Sequence, residues 1–135
     1  MKIRRAGKED LPQITSLARK LDLDYEGMDD DSFWLAEAGG GIAGIVALKK
    51  HGDCHELCAL GVDPRRRHKG FGRKLVRALL QGADRDIYLA TVIPGFFERC
   101  GFERAVRIPS SMMKSPEWCE GCSKEFCTVM VRKLP

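Results

Sequence analysis

The stretch from His55 to Val92 constrains this chain more than any other. His55–Val62 has the length and apolar content of a strand, and Asp63-Pro64 closes it, because proline cannot donate to a ladder. Gly70–Arg85 carries apolar residues at Phe71, Leu75, Val76, Leu79, Leu80 and Ala83, the spacing of an amphipathic helix. Ile87–Val92 is apolar and partly β-branched, as a buried strand is. Strand, helix and strand in this order imply a right-handed crossover between two parallel neighbours.

The flanking sequence adds antiparallel strands. Lys2–Arg5 reads as a short strand, and Lys8–Leu21 as a helix with Leu11, Ile14, Leu17, Ala18 and Leu21 on its buried stripe. Pro12 falls in the first turn, where its missing N–H does no harm. Asp22–Asp31 is acidic and without a period, a loop. Phe33–Ala38 and Ile42–Leu48 form a hairpin about Gly39-Gly40-Gly41, and Gly52-Asp53 turns the chain again into His55–Val62. Pro94–Cys100 is a short helix ended by Gly101. Phe102–Ile108 and Phe126–Arg132 read as the last strands. The expected fold is α+β: a mixed, mostly antiparallel sheet of six to seven strands, helices on both faces and one parallel crossover pair. We expect a single domain over residues 1–135, with a cysteine-containing loop at 109–124.

Composition bounds the function. The chain has 135 residues, 44% hydrophobic and 31% charged, the balance of a soluble globule. No run approaches the roughly 18 apolar residues of a membrane helix, and Met1–Arg5 starts basic with no apolar segment behind it. A cytoplasmic protein with no membrane partner is expected. The net charge is +4, and Arg65-Arg66-Arg67-His68-Lys69 is its one dense basic run. No aromatic platform or second basic patch accompanies that run, which argues against nucleic acid and for a small polyanion.

The basic run lies between the strand and the helix, and two glycines follow it. The first turn of a helix presents unpaired N–H groups and the positive end of the dipole. Glycines at 70 and 72 let a phosphate approach the backbone, and Arg65, Arg66, Arg67 and Lys69 add charge around it. The dinucleotide pattern G-x-G-x-x-G and the Walker pattern are both absent.

What stands here is R-x-x-G-x-G, Arg67-His68-Lys69-Gly70-Phe71-Gly72, after a strand ending Val62-Asp63-Pro64. It resembles the acetyl-CoA-binding motif of the GNAT superfamily of N-acetyltransferases. Ile3-Arg4-Arg5-Ala6 with Glu9-Asp10-Leu11 resembles that family's opening strand and helix, and Phe96-Phe97-Glu98-Arg99-Cys100-Gly101-Phe102 its late aromatic signature. Leu89-Ala90-Thr91 before that signature and His55–Val62 resemble the N-acetylglutamate-synthase-like branch. So does the tail Pro116-Glu117-Trp118-Cys119-Glu120-Gly121-Cys122.

The resemblance implies a GNAT-like fold, acetyl-CoA as co-substrate and a small-molecule amine acceptor, an amino acid such as glutamate. It implies that the backbone N–H groups of Arg67, His68, Lys69, Gly70, Phe71 and Gly72 cradle the pyrophosphate and that Arg73 also binds the cofactor. Leu60, Gly61 and Val62 pair with the pantetheine arm as a strand would, Phe97 lies against the cofactor, and the Leu60 N–H receives the developing oxyanion. A second copy of the chain, as a homodimer, is the other partner considered.

Acetyl transfer to an amine needs a base, because amines are largely protonated near neutral pH. Glu56 is the candidate, since period-2 alternation puts it on one face with Cys58, Leu60 and Val62 and puts His55 on the other. Its other reading is an edge glutamate in a cross-strand salt bridge. Many family members carry tyrosine where Phe97 stands, as proton donor to the departing sulfur. Phenylalanine cannot donate, so here the thiolate leaves unassisted or takes its proton elsewhere. Direct attack in a ternary complex is preferred to an acetylated Cys58 or Cys100. The missing tyrosine also motivates an alternative, a non-catalytic CoA-binding or metal-stapled interaction module.

Cys119-x2-Cys122-x4-Cys127 is half of a four-thiolate pattern. Cys119, Cys122 and Cys127, with Cys100 as a fourth ligand, are the candidate metal set. Thiols or a loop disulfide are the reading favoured over a structural metal.

Overall fold

The computed structural model describes residues 2–65, 70–112 and 128–134. In chain order the elements are β1 (Lys2–Arg5), α1 (Leu11–Lys20), β2 (Ser32–Ala38), β3 (Gly41–Lys50), β4 (His55–Val62), α2 (Phe71–Gln81), β5 (Ile87–Thr91), α3 (Pro94–Glu98), β6 (Glu103–Arg104) and β7 (Thr128–Arg132). Single 3₁₀ turns lie at Lys8–Asp10, Met28–Asp30 and Ser110–Met112. The strands form one seven-stranded sheet in the order β1-β2-β3-β4-β5-β7-β6. The expected α+β class is the one observed, and β4 and β5 make the parallel pair.

The chain divides into two compact units, Met1–Lys49 with Leu57–Gly82, and Lys50–Glu56 with Ala83–Pro135. In the first, β1 pairs with β2 and β2 with β3, both antiparallel, and the β2–β3 register pairs Phe33 with Ala47 and Leu35 with Ile45. These four residues pack with Ile14, Leu17 and Ala18 of α1 and with Met28 in one buried cluster. The α1 stripe is therefore used as its spacing predicts, although Leu11 and Leu21 at its ends stay partly exposed. α2 takes the other face. A Cβ on Gly44 would stand 3.0 Å from Leu75 Cδ1, and Gly44 alternates with the residues that meet α1. Leu75, Val76 and Leu79 are buried on the inner side of α2.

The first helix differs from its predicted span. Lys8–Asp10 is a 3₁₀ turn, and the α-helix starts at Leu11. Asp10 explains the break. Its carboxylate accepts from Arg4 through both guanidinium NH₂ groups (2.9 and 2.8 Å) and from the Gly7 N–H (2.7 Å). Arg4 also pairs with Glu37. The opening family-like motif thus does structural work, tying the first strand to the turn behind it.

In the second unit β5 and β7 pair antiparallel along their length, from Ile87↔Arg132 to Thr91↔Thr128. Cys54, Ile87, Leu89, Phe97, Phe102, Met112, Met130 and Val131 are buried among its described residues. The predicted strand over Phe102–Ile108 shrinks to Glu103–Arg104, paired with β7. Past Ala105, whose N–H reaches the Val129 carbonyl, Val106 is 95% exposed. An apolar pattern without a neighbour to bury it does not continue a strand.

α3 ends in a Schellman motif. Gly101 takes φ +94. Its N–H reaches the Glu98 carbonyl at 3.0 Å, and the Phe102 N–H reaches that of Phe97, also at 3.0 Å. The Phe97 and Phe102 rings meet edge to face with centroids 5.8 Å apart. No helix among the described residues is long and apolar enough to cross a membrane.

Candidate active site

Two ends of β4 carry the candidate chemistry. At its C-terminal end Asp63 closes the strand. Its N–H donates to the Ala43 carbonyl at 2.7 Å, and its Oδ1 accepts the Arg65 N–H at 3.1 Å. Asp63 is 8% exposed, and the backbone bond from Arg65, helped by its side chain and by Lys20, holds the carboxyl below its usual range. The basic run is thereby launched from a fixed point. Asp63 was read from sequence only as a terminator; its Asx-type turn is an added role.

The helix after the run begins at Gly70, with φ +74. Among the described residues no side chain caps this first turn. A Cβ at Gly70 would meet nothing within 4 Å, so glycine stands there for its backbone angle and not for space. Phe71 is 4% exposed and anchors the helix start, Gly72 is half-buried, and Arg73 is exposed. Arg67, His68 and Lys69 lie outside the described residues.

At the N-terminal end of β4, Glu56 is 8% exposed. The parallel ladder with β5 runs over His55↔Ile87 and Glu56↔Tyr88. His51 Nε2 lies 2.7 Å from Glu56 Oε1. The hairpin turn explains the meeting. The His51 N–H donates to the Cys54 carbonyl at 2.9 Å across Gly52-Asp53, so His51 and Cys54 face each other. Glu56, two residues on, shares the face of Cys54 and is the diagonal neighbour of His51. The cross-strand salt bridge weighed as the other reading of Glu56 is close to what is observed, with His51 as its partner.

The neighbours are buried too. His55 is 7% exposed, and burial, with Arg85 and Lys50 nearby, lowers its imidazole below the ordinary value, keeping it neutral. Burial and the adjacent Asp53 push the Cys54 thiol up to about 11. Asp53 itself accepts from the Ser111 N–H at 3.2 Å.

The alternation expected from Glu56 to Val62 does not run unbroken, because Ala59 has φ +51. A left-handed residue turns the strand about its axis, so the faces of Leu60 and Val62 do not follow from that of Glu56 by counting. Leu60 and Gly61 are half-buried and Val62 is buried. A Cβ on Gly61 would stand 2.4 Å from Leu23 Cδ1 and 2.8 Å from Leu21 Cδ1. The segment after α1 therefore lies on the β4 backbone where a side chain is missing. Cys58 Sγ donates to Tyr25 Oη at 3.5 Å, and Tyr25 donates to Asp31 at 2.5 Å.

Phe97 is 5% exposed, between Phe96 and Phe102. Thr91, 8% exposed, ends β5 by accepting the Ile93 N–H at 2.9 Å. Cys100 is half-buried after α3. Cys119, Cys122 and Cys127 lie outside the described residues, and among the described residues no group of three or more His, Cys, Asp or Glu is placed to hold a metal.

The Acetyltransferase (GNAT) domain family matches residues 29–104. The chain belongs to this family. It is 29% identical over 119 residues to the amino-acid acetyltransferase of Neisseria meningitidis, a match covering 76% of this chain and 27% of the relative. The chain thus spans about a quarter of the length of the curated relatives it matches. Among solved structures, Rv2747 from Mycobacterium tuberculosis superposes with a TM-score of 0.74 at 23% identity, covering all of both chains. The N-acetylglutamate synthase of Neisseria gonorrhoeae gives 0.71 at 24% identity, over 99% of this chain and 35% of its own. These two likenesses show the fold.

Proposed function

We propose that the chain is an acetyl-CoA-dependent N-acetyltransferase that acts on the amine of an amino acid such as glutamate, by direct attack in a ternary complex. The observation that carries this reading is the C-terminal half of β4: a left-handed Ala59, then Leu60, Gly61 and Val62, followed along the sequence by a basic run and a helix that opens on Gly70. A backbone outlier at an ordinary residue such as Ala59 costs about 1–3 kcal/mol and is typical of sites where geometry serves function. The relatives support the class of substrate. The gonococcal synthase was crystallised with coenzyme A and N-acetyl-glutamate, and the Mycobacterium tuberculosis protein in complex with CoA.

On this reading residues 67–73 hold the pyrophosphate, Leu60, Gly61 and Val62 line the pantetheine arm, and Glu56 is the base. The acceptor nitrogen attacks the thioester carbonyl carbon and its proton passes to Glu56. The oxyanion is met by the Leu60 N–H. The oxyanion then re-forms the carbonyl, the C–S bond breaks, and sulfur departs with the bonding pair. A thiol of pKa about 8.5 is a tolerable leaving group without an acid, which suits phenylalanine at 97.

The test is CoA release, read with a thiol reagent, from acetyl-CoA and a panel of amino acids, polyamines and peptides. Glutamate or another amino acid should give the fastest release, and Glu56→Gln should slow it about 10²–10⁴-fold. Gly70→Val should weaken CoA binding by calorimetry. Release that no acceptor stimulates would leave the non-catalytic module as the better account.

A further inference from the structure

We propose that Lys49 binds a carboxylate of the acceptor and so selects an amino acid over a plain amine. The proposal rests on the acceptor being an amino acid and on the Leu60 N–H marking the reacting carbonyl. It adds a residue that lies outside every motif of the chain.

The surroundings of Lys49 carry it. The β2–β3 register pairs Ser32 with Leu48, so one step further Asp31 stands opposite Lys49. Asp31 does not hold the ammonium closely. Its Oδ2 receives the Tyr25 hydroxyl at 2.5 Å, while Lys49 Nζ stays 3.8 Å from the same oxygen, beyond hydrogen-bond reach. Burial, with Cys58 and Asp31 nearby, pushes the Tyr25 phenol well above its ordinary value, so the hydroxyl keeps its hydrogen and gives it to Asp31. Lys49 Nζ lies instead over the Tyr25 ring, 5.0 Å from the centroid. A ring face steadies an ammonium without using its N–H bonds. Among the described residues Nζ has these two neighbours and no hydrogen bond, so its three donors are open to a ligand. The Lys49 side chain is 34% exposed and that of Asp31 10%. The cation is reachable while its counter-charge is covered, and that asymmetry favours an anion here. The loop's other carboxylates, Asp22, Asp24, Glu26, Asp29 and Asp30, are exposed, where water and salt screen them.

The location fits the acceptor. Tyr25 also receives the Cys58 thiol at 3.5 Å, and Tyr25, Cys58 and Ala59 border one buried cluster. Ala59, left-handed at φ +51, directly precedes Leu60. Lys49 is thus one aromatic ring away from the strand segment that presents the proposed oxyanion donor. An amino acid keeps a carboxylate within a few bonds of its nitrogen, whereas a polyamine carries none.

The test compares the native protein with Lys49→Met and Lys49→Arg. CoA release is read with acetyl-CoA and L-glutamate, L-glutamine or butylamine as acceptor, and calorimetry reads the binding of CoA and of N-acetyl-L-glutamate. Losing a charge-assisted hydrogen bond weakens a ligand about ten- to a hundred-fold. We expect Lys49→Met to raise the KM for L-glutamate and the Kd for N-acetyl-L-glutamate by that factor, with the KM for butylamine and the Kd for CoA unchanged. Methionine keeps an apolar stem on the Tyr25 ring, and unchanged CoA binding shows the fold intact. Lys49→Arg keeps a cation over the ring and should recover both values to within about fivefold. L-Glutamine tells the two carboxylates apart. A loss shared by both amino acids assigns Lys49 to the α-carboxylate, and a loss for L-glutamate alone assigns it to the side-chain carboxylate. Unchanged KM and Kd values in Lys49→Met overturn the proposal, as does a KM for butylamine that rises as much as that for L-glutamate. Should Lys49→Met lose CoA binding as well, Lys49→Gln decides in its place. If the native protein acetylates no amino acid and binds no N-acetyl-L-glutamate, the amino-acid reading itself fails and takes this proposal with it.

Discussion

Arg4 grips Asp10 with both of its terminal nitrogens, at 2.9 and 2.8 Å, tying the first strand to the last residue before the first α-helix. A bidentate guanidinium–carboxylate pair is among the stronger polar contacts a protein makes. Here it replaces a helical turn that the sequence pattern suggested, and it gives the chain a defined response to acid.

That response is the first prediction. The hydrogen bond from Arg4, with the Gly7 N–H, lowers the Asp10 carboxyl to about 2. Asp53 and Asp63 are also lowered. A depressed carboxyl contributes stability that is complete above its unfolded value, about 3.9, and disappears as pH falls toward the folded one. Urea midpoints should be flat with respect to these groups above about pH 5 and fall between pH 4 and 2. Asp10→Asn should flatten part of that fall and lower the plateau.

Gly44 and Gly61 should separate in cost, although both are crowded. A Cβ on Gly44 meets Leu75 Cδ1 at 3.0 Å, the Gly61 carbonyl oxygen at 3.1 Å and Val62 Cγ2 at 3.3 Å. Backbone and a buried leucine cannot yield easily, so Gly44→Ala should cost about 1–3 kcal/mol. A Cβ on Gly61 meets only the ends of Leu21 and Leu23, both partly exposed. Those side chains can turn away, and Gly61→Ala should cost less. Denaturant melts of the two variants check the order, and a reversed order would sink this reading of the packing.

The cap of α3 predicts that Gly101 is needed twice over. Its φ of +94 disfavours any other residue, and a Cβ would approach the Arg132 guanidinium to within 3.3 Å. Gly101→Ala should cost on the order of 1–2 kcal/mol. Phe97→Ala removes a ring that is 5% exposed and should cost about 3–5 kcal/mol. Thermal unfolding measures both, and a smaller loss for Phe97→Ala than for Gly101→Ala would contradict the burial argument.

Cys54 should resist alkylation. It is 4% exposed, and burial and Asp53 push its thiol up to about 11, so little thiolate forms at pH 8. Iodoacetamide mapping by mass spectrometry should show Cys54 modified only after urea is added. Rapid labelling in the native protein would show the hairpin to open.

Much of the fold is legible in the residues. The ends of β4 agree with His55–Val62 because proline and glycine punctuate the chain on either side. α1 and α2 bury the stripes their spacing marks. The family motifs are legible as motifs, yet the structure gives several of their residues architectural tasks: Asp10 holds Arg4, Thr91 ends its strand, and Phe97 with Gly101 and Phe102 closes a helix. Three features were not legible. The strand after Phe102 stops early because Val106 finds nothing to cover it. The left-handed turn at Ala59 defeats alternation, since alanine gives no local signal for that conformation. The partner of Glu56 was hidden because it stands across a turn and not along the strand.

The division has a physical cause. Hydrophobic period, turn residues and glycine placement belong to neighbours in the chain, so the sequence alone determined which segments are helix and strand, that one crossover is parallel, and that the second helix opens on a glycine. Which side chains meet depends on register and on the packing of distant segments. Only the tertiary structure could set His51 against Glu56, bind Arg4 to Asp10 and Glu37, and hold Ala59 in a conformation that its own side chain disfavours.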